Sequence, residues 1–261
     1  MNVRKITDKS LAMVLIGGLS LSCSIPAFDH SHRMWTKILQ KTVKNGRVNY
    51  KHLKNDAAAF NMYLNQLSAV EAEELSHWSK EQKLAYWINA YNAYTIKAII
   101  DNYPVKSIKK IPGVWKKLKF KAGGEDITLD EIEHKKLRAE LKDPRIHFAV
   151  NCASIGCPVI SDQAYSADKL DAQFGASVKA MLTNAGQFRI DRDKEKIYLS
   201  KILDWFRDDF QDFKEVHSYG KNNGPISFLL EYLPKTDQNY IRTKKLSVKW
   251  LDYDWTLNEG S

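Results

Sequence analysis

Apolar residues recur at helical spacing in several stretches of the chain and alternate with polar ones in few. Leu84, Ile88, Tyr91, Thr95 and Ile99 fall on one side of a helix advancing about 100° per residue. Ala85, Ile96, Ile100 and Tyr103 widen that surface, which leaves Lys83, Ala90, Lys97 and Asp101 as a narrow solvent stripe. Ser79 with Gln82 three residues on is a capping-box start, and Pro104 is the stop, so the pattern predicts a core helix running to Tyr103. Asn89 and Asn92, three apart, project from its apolar flank. A buried amide left unpaired costs about 1–3 kcal/mol, so each must bond something: a neighbouring loop's backbone, or the polar wall of a pocket.

The same reading places a helix over residues 31–44, a short turn and extended segment over 46–50, and a second capping box at Thr128 and Glu131 whose helix ends near Leu141. Ile146, Phe148 and Val150 alternate with His147, Ala149 and Asn151, which predicts a buried strand broken by Gly156 and Pro158. Ser166 opens a helix ending near Asn184. Residues 188–202 read as a hairpin around a charged tip, Ser200 caps a short helix, 225–233 is helical, and 246–257 is a last, loosely alternating strand. Helices and strands mix without a βαβ rhythm. The expected class is α+β: a single compact domain with helices around a small, mostly antiparallel sheet.

The first residues bear on compartment. Arg4, Lys5 and Lys9 precede an apolar run from Leu11 to Leu21, and Ala27 offers a cleavage point, so residues 1–27 read as a secretory signal peptide and 28–261 as the mature domain. That places the protein in the periplasm or outside the cell; lipidation at Cys23 is the alternative. The run is shorter than the roughly 20 apolar residues a span needs. The chain carries a formal net charge of +9, with lysines densest between Lys106 and Lys121. Export makes nucleic acid an unexpected partner despite that charge; a solvated face, an anionic small ligand or an acidic membrane surface remain.

The chemistry concentrates in the segment from Arg145 to Pro158, which holds Cys152 and Cys157, the two cysteines that outlast signal removal. A nucleophilic Cys152 needs a base, and His134 and His147 are the candidates. Asp130, four residues before His134, is placed to orient it, whereas Glu133 points about 100° away. A Cys/His pair with an Asn or acidic orienter follows the logic of papain-like or transglutaminase-like hydrolases, and a relation to those folds is one alternative. A Cys152–Cys157 disulfide closing a small loop is a second, and a metal site from His134, His147, Cys152 and Cys157 a third; no metal or cofactor is expected. His30, His32, His52, His77 and His217 sit among polar neighbours and read as surface residues.

Several motifs carry a resemblance: Tyr86–Ile96, Ile127–His134 with Arg138, Asp143–His147, Asn151–Pro158, Leu199–Trp205 with Asp209 and Phe210, and Asp252–Asn258. In this order they resemble the domain of unknown function 547 family over essentially the whole mature chain. The resemblance implies a domain found in exported bacterial proteins and supplies no catalytic role. The function read from the residues is therefore an exported small-ligand-binding or sensor domain. Its reactive cysteine captures a small anionic or thiol ligand, such as glutathione, and occupancy is signalled to a membrane partner. Asn89, Asn92, Arg145, Asn151 and Cys157 are the candidate ligand-binding residues, and the cysteine hydrolase or acyltransferase is the rival.

Overall fold

The computed structural model describes residues 27–260. The signal segment and Cys23 fall outside them, apart from Ala27. The chain opens with α1 (Arg33–Thr42), a tight hairpin of β1 (Val43–Lys44) and β2 (Arg47–Val48), and the helices α2 (Tyr50–Asn55), α3 (Ala58–Ala69) and α4 (Ala72–Ser76). The long α5 (Lys80–Asp101) follows, starting at the expected capping box, where Ser79 and Gln82 satisfy each other's backbone N–H groups. The hairpin of β3 (Lys119–Ala122) and β4 (Glu125–Thr128) leads into α6 (Leu129–Glu131), again through a capping box. That helix continues over Ile132–Leu141 with π-type spacing and ends on the Lys142 N–H to Leu137 carbonyl bond at 3.0 Å. A π-helix is wider than an α-helix and is frequent at functional sites.

The second half packs α7 (Leu170–Thr183) beside a three-stranded sheet in the order β5 (Phe188–Asp191), β6 (Lys196–Leu199), β7 (Ser247–Trp250). The β5–β6 hairpin is antiparallel and β6–β7 is parallel. Between them run α8 (Ile202–Trp205), α9 (Asn223–Leu230) and α10 (Lys235–Thr243). This is the expected α+β class, a single compact domain with small, mostly antiparallel sheets. One apolar cluster surrounds α5 and takes in Trp35, Tyr63 and Leu129. A second gathers Phe148, Phe210 and Phe228 against the three-stranded sheet.

Four expectations need correction. Residues 146–150 form no strand: Pro144–Phe148 is a 3₁₀ helix, because the Asp143 carboxylate accepts the Arg145 N–H and Pro144 presets the first turn, so local capping overrides the alternation. The helix α5 has no continuous solvent stripe, since Ala90 is wholly buried and Lys97 only half-exposed; α2, α3 and the π-helical segment all pack against it. His32 is buried, not superficial, with Nδ1 at 2.8 Å from the Tyr63 hydroxyl. The last strand ends at Trp250, after which Tyr253–Asn258 runs as an irregular clamp.

Candidate functional site

The two asparagines of α5 are spent on backbone. Asn92 donates to the Ala149 carbonyl (3.0 Å) and accepts the Asn151 N–H (2.8 Å). Asn89 treats Tyr165 in the same way, at 2.7 and 3.0 Å. Each amide therefore completes a strand-like pair of bonds with a chain that has no strand beside it, and the pair at Asn92 fixes the entry to the cysteine loop. Asn151 then holds the loop closed: its Oδ1 accepts from the Ala153 N–H (2.9 Å) and the Asn258 amide (3.2 Å), and its Nδ2 donates to the Pro158 carbonyl (2.8 Å). Ala153 sits at φ +60°, a left-handed conformation that costs a non-glycine residue free energy and persists only where surroundings enforce it.

The C-terminal clamp supplies that enforcement. The Ile155 N–H donates to Thr256 and the Gly156 N–H to Asp254, at 2.9 and 2.8 Å. A Cβ on Gly156 would meet the Asp254 nitrogen at 2.8 Å, so only glycine permits the approach. From below, the Gln187 amide bonds the Cys157 carbonyl.

Within this frame the two cysteines are free and adjacent. The Cys152 N–H points at the Cys157 sulfur (3.0 Å), and the Tyr253 hydroxyl lies 2.9 Å from Cys157 Sγ and 3.0 Å from Cys152 Sγ. Ser154 Oγ is 3.1 Å from Cys152 Sγ and also reaches Cys157 Sγ, at 3.6 Å. Cys157 is buried, whereas Cys152 retains partial access. Burial alone would raise the Cys157 thiol, but the bonds from the Cys152 thiol, Tyr253, Ser154 and the Cys152 N–H outweigh it and hold Cys157 below the ordinary thiol range. Cys152 moves the other way, pushed up by its bond to Cys157 and by burial. The pair thus shares one proton and keeps it on Cys152.

Replacing Tyr253 with phenylalanine removes one donor to that thiolate. A hydrogen bond to a charged group contributes about 1.5–3 kcal/mol, so thiolate formation should shift upward by about one to two pH units. Ultraviolet titration of the thiolate measures this; an unchanged midpoint would show that Tyr253 donates elsewhere.

A cavity of about 280 Å³ opens beside the sulfurs. Both cysteines line it, as do His134 and His147, so four of the expected residues are brought together. Neither imidazole hydrogen-bonds a sulfur. His134 Nδ1 accepts from Arg138 (2.8 Å), while its Nε2 faces Asp130 at 3.7 Å, the orienter expected from spacing. Since an arginine does not give up its proton, His134 is neutral, and burial, with Arg138 adding to it, lowers its pKa. His147 Nε2 lies 2.6 Å from Asp209. Burial depresses His147 although Asp209 pulls the other way, and Asp209, bonded by both His147 and Arg138, stays well below the carboxylate range despite its own burial.

Asn89, Asn92, Asn151 and Arg145 are not among the cavity's lining residues. Arg145 is engaged elsewhere, bonded by its guanidinium to Asp143 and Asp171 and stacked 4.7 Å from the Phe174 ring.

Sequence reasoning missed Glu133. It projects from the π-helical segment into the cavity, where burial raises its carboxyl to about 7 against the restraint of the Tyr91 hydroxyl, with the nearby Cys157 adding to the rise. Its place next to His134 in sequence puts the two side chains on different sides of the helix, yet the cavity is wide enough for both to line it. Tyr253 and Trp255 were visible only as part of a terminal motif, with Trp205 in another; Trp115 stood among the lysines.

Residues 75–182 match the model of a family described as Protein of unknown function, DUF547. No curated protein and no solved structure matches the chain.

Proposed function

We propose a function from the site's own chemistry, since the family model that residues 75–182 match records no activity: an exported domain that binds a small thiol peptide such as glutathione through Cys152. One observation carries this reading. Two free sulfurs, one accessible and one buried, meet at a small cavity, the Cys152 N–H and the Tyr253 hydroxyl both reach the buried one, and no histidine or carboxylate touches either. Cys152 passes its proton to Cys157 as its sulfur bonds to one sulfur of a disulfide R–S–S–R. That S–S bond breaks, and the departing thiolate takes the proton back from Cys157 to leave as RSH. The products are the mixed disulfide on Cys152 and one free thiol, with no outside oxidant.

The cavity's volume, at the small end of ligand sites, suits a ligand of a few residues. Lys116 is the lysine on its wall and supports a carboxylate. Occupancy would tighten the loop held by the C-terminal clamp, and that loop is the surface we assign to a membrane-bound signalling partner. The hydrolase is the second reading, favoured by Glu133, whose pKa near neutrality suits general acid–base work.

Stoichiometry separates the two. Incubation with glutathione disulfide should load one equivalent per chain and then stop, releasing one equivalent of glutathione. A Cys152→Ser chain should load none. Continuous consumption of a thioester or peptide substrate, lost in the same variant, would establish the hydrolase instead.

A further inference from the structure

The wall of the cavity next to the sulfurs is aromatic, and the thiol chemistry makes no use of it. Tyr253, whose hydroxyl touches both sulfurs, has its ring 4.5 Å from Trp255 and 4.8 Å from Trp205. Trp205 and Trp255 stack at 5.9 Å, and Trp115 meets Trp255 edge-on at 5.9 Å. All four rings line the cavity together with the carboxylates of Asp130 and Glu133. Trp205 is 46% exposed, unusual for so large an apolar ring.

Ring faces carry negative potential and attract cations, most strongly tryptophan. This chain already shows the effect locally: Lys109 Nζ sits 4.9 Å from the Trp255 centroid, although Lys109 does not itself line the cavity. The Asp130 carboxylate and the Glu133 carboxyl, which a bound cation would help to ionise, lie beside three indoles and a phenol and make a local environment for positive charge on a chain whose overall charge is strongly basic.

Resting on the thiol-exchange reading, we propose that Trp115, Trp205, Tyr253 and Trp255, with Asp130 and Glu133, form a subsite for the ligand's ammonium group, so that the ligand class is an aminothiol or its disulfide. The tyrosine joins the two functions. Its hydroxyl meets the sulfurs and its ring opens the cage, so the ammonium lies within a few bonds of the reacting sulfur. Lys116 receives a carboxylate where the ligand has one. The subsite also explains why Arg145 is not needed: recognition begins with the cation.

Two measurements test this. In a Cys152→Ser chain, which lacks the accessible thiol, tetramethylammonium chloride at constant ionic strength should change tryptophan fluorescence with saturation, and sodium chloride should not. A Trp205→Leu exchange in the same chain, at a half-exposed position that leaves the core intact, should weaken the saturation roughly tenfold, the scale of a desolvated cation on aromatic faces. In the chain with both thiols, the diammonium disulfide cystamine should load Cys152 about tenfold faster than the dicarboxylate 3,3′-dithiodipropionate, against the direction that overall charge favours. Trp205→Leu should erase that ratio. Non-saturable fluorescence, saturation unaffected by Trp205→Leu, or faster loading by the dicarboxylate would overturn the subsite. Saturation by tetramethylammonium with no adduct from either disulfide would keep the subsite and discard thiol exchange.

Discussion

An Asn92→Leu chain should lose about 2–6 kcal/mol of stability, because leucine strands two buried backbone groups at about 1–3 kcal/mol each. The Ala149 carbonyl and the Asn151 N–H have Asn92 as their partner, and both belong to the segment that carries the 3₁₀ turn into the cysteine loop. The loss should therefore reach beyond stability. With Asn151 no longer anchored, its bonds to Ala153 and Pro158 loosen, and the left-handed Ala153 can relax. The order imposed on the Cys157 sulfur should fall, and alkylation should become less selective between the two cysteines. Urea unfolding gives the first quantity and mass mapping of brief iodoacetamide labelling the second. A change below about 0.5 kcal/mol, within the range of ordinary surface substitutions, would contradict the role given to Asn92.

The second large effect belongs to Glu133. Its folded pKa of about 7 lies above the ordinary 4.5, chiefly through burial. The folded state thus binds this proton more tightly than the unfolded one, and its contribution to stability is fully present below pH 4.5 and is lost as pH rises through about 7. At pH 8 the ionised carboxylate is held in the cavity at a cost on the order of 3 kcal/mol. Glu133→Gln keeps the shape and removes the charge, so the variant should be more stable than the parent at pH 8, and the difference should shrink toward pH 5. Denaturant midpoints across that window measure it. Equal pH dependence in the two chains would mean that Glu133 is solvated and takes no part in the cavity's proton chemistry.

Much of the frame was legible before any coordinates. Capping boxes at Ser79 and Thr128 name their own partners three residues on, and both form as read. The hairpin over 188–202 is likewise local, and its register follows from alternation. Asn89 and Asn92 were legible as buried amides because a polar residue on an apolar helix flank must find a partner; which of the two open outcomes held depended on a loop 57 to 76 residues away.

What failed did so for physical reasons. The alternation over 146–150 is a true pattern, but Asp143 and Pro144 commit the backbone to a tight turn first, and burial then comes from all sides, so period-2 spacing carries no strand. Glu133 was hidden because its burial comes from Tyr91 and the cysteine loop, which are distant in sequence. The partnership of Cys157 with Tyr253 spans 96 residues, and no local signal points from one to the other. His134 and His147, read as candidate bases for Cys152, do line its cavity, and their hydrogen bonds to Arg138 and Asp209 join residues too far apart in sequence to be foreseen together.

The central claim is that the accessible sulfur of Cys152 takes the ligand while the buried sulfur of Cys157 holds the negative charge. Intact-mass and peptide mapping after glutathione disulfide treatment at neutral pH tests it most directly. The expected result is one glutathionyl group on Cys152, removed by dithiothreitol, with loading at least tenfold slower in a Cys157→Ser chain, since the serine hydroxyl cannot accept the proton that Cys152 must release. An adduct on Cys157 instead, or loading of Cys152 at an undiminished rate in the Cys157→Ser chain, would contradict it.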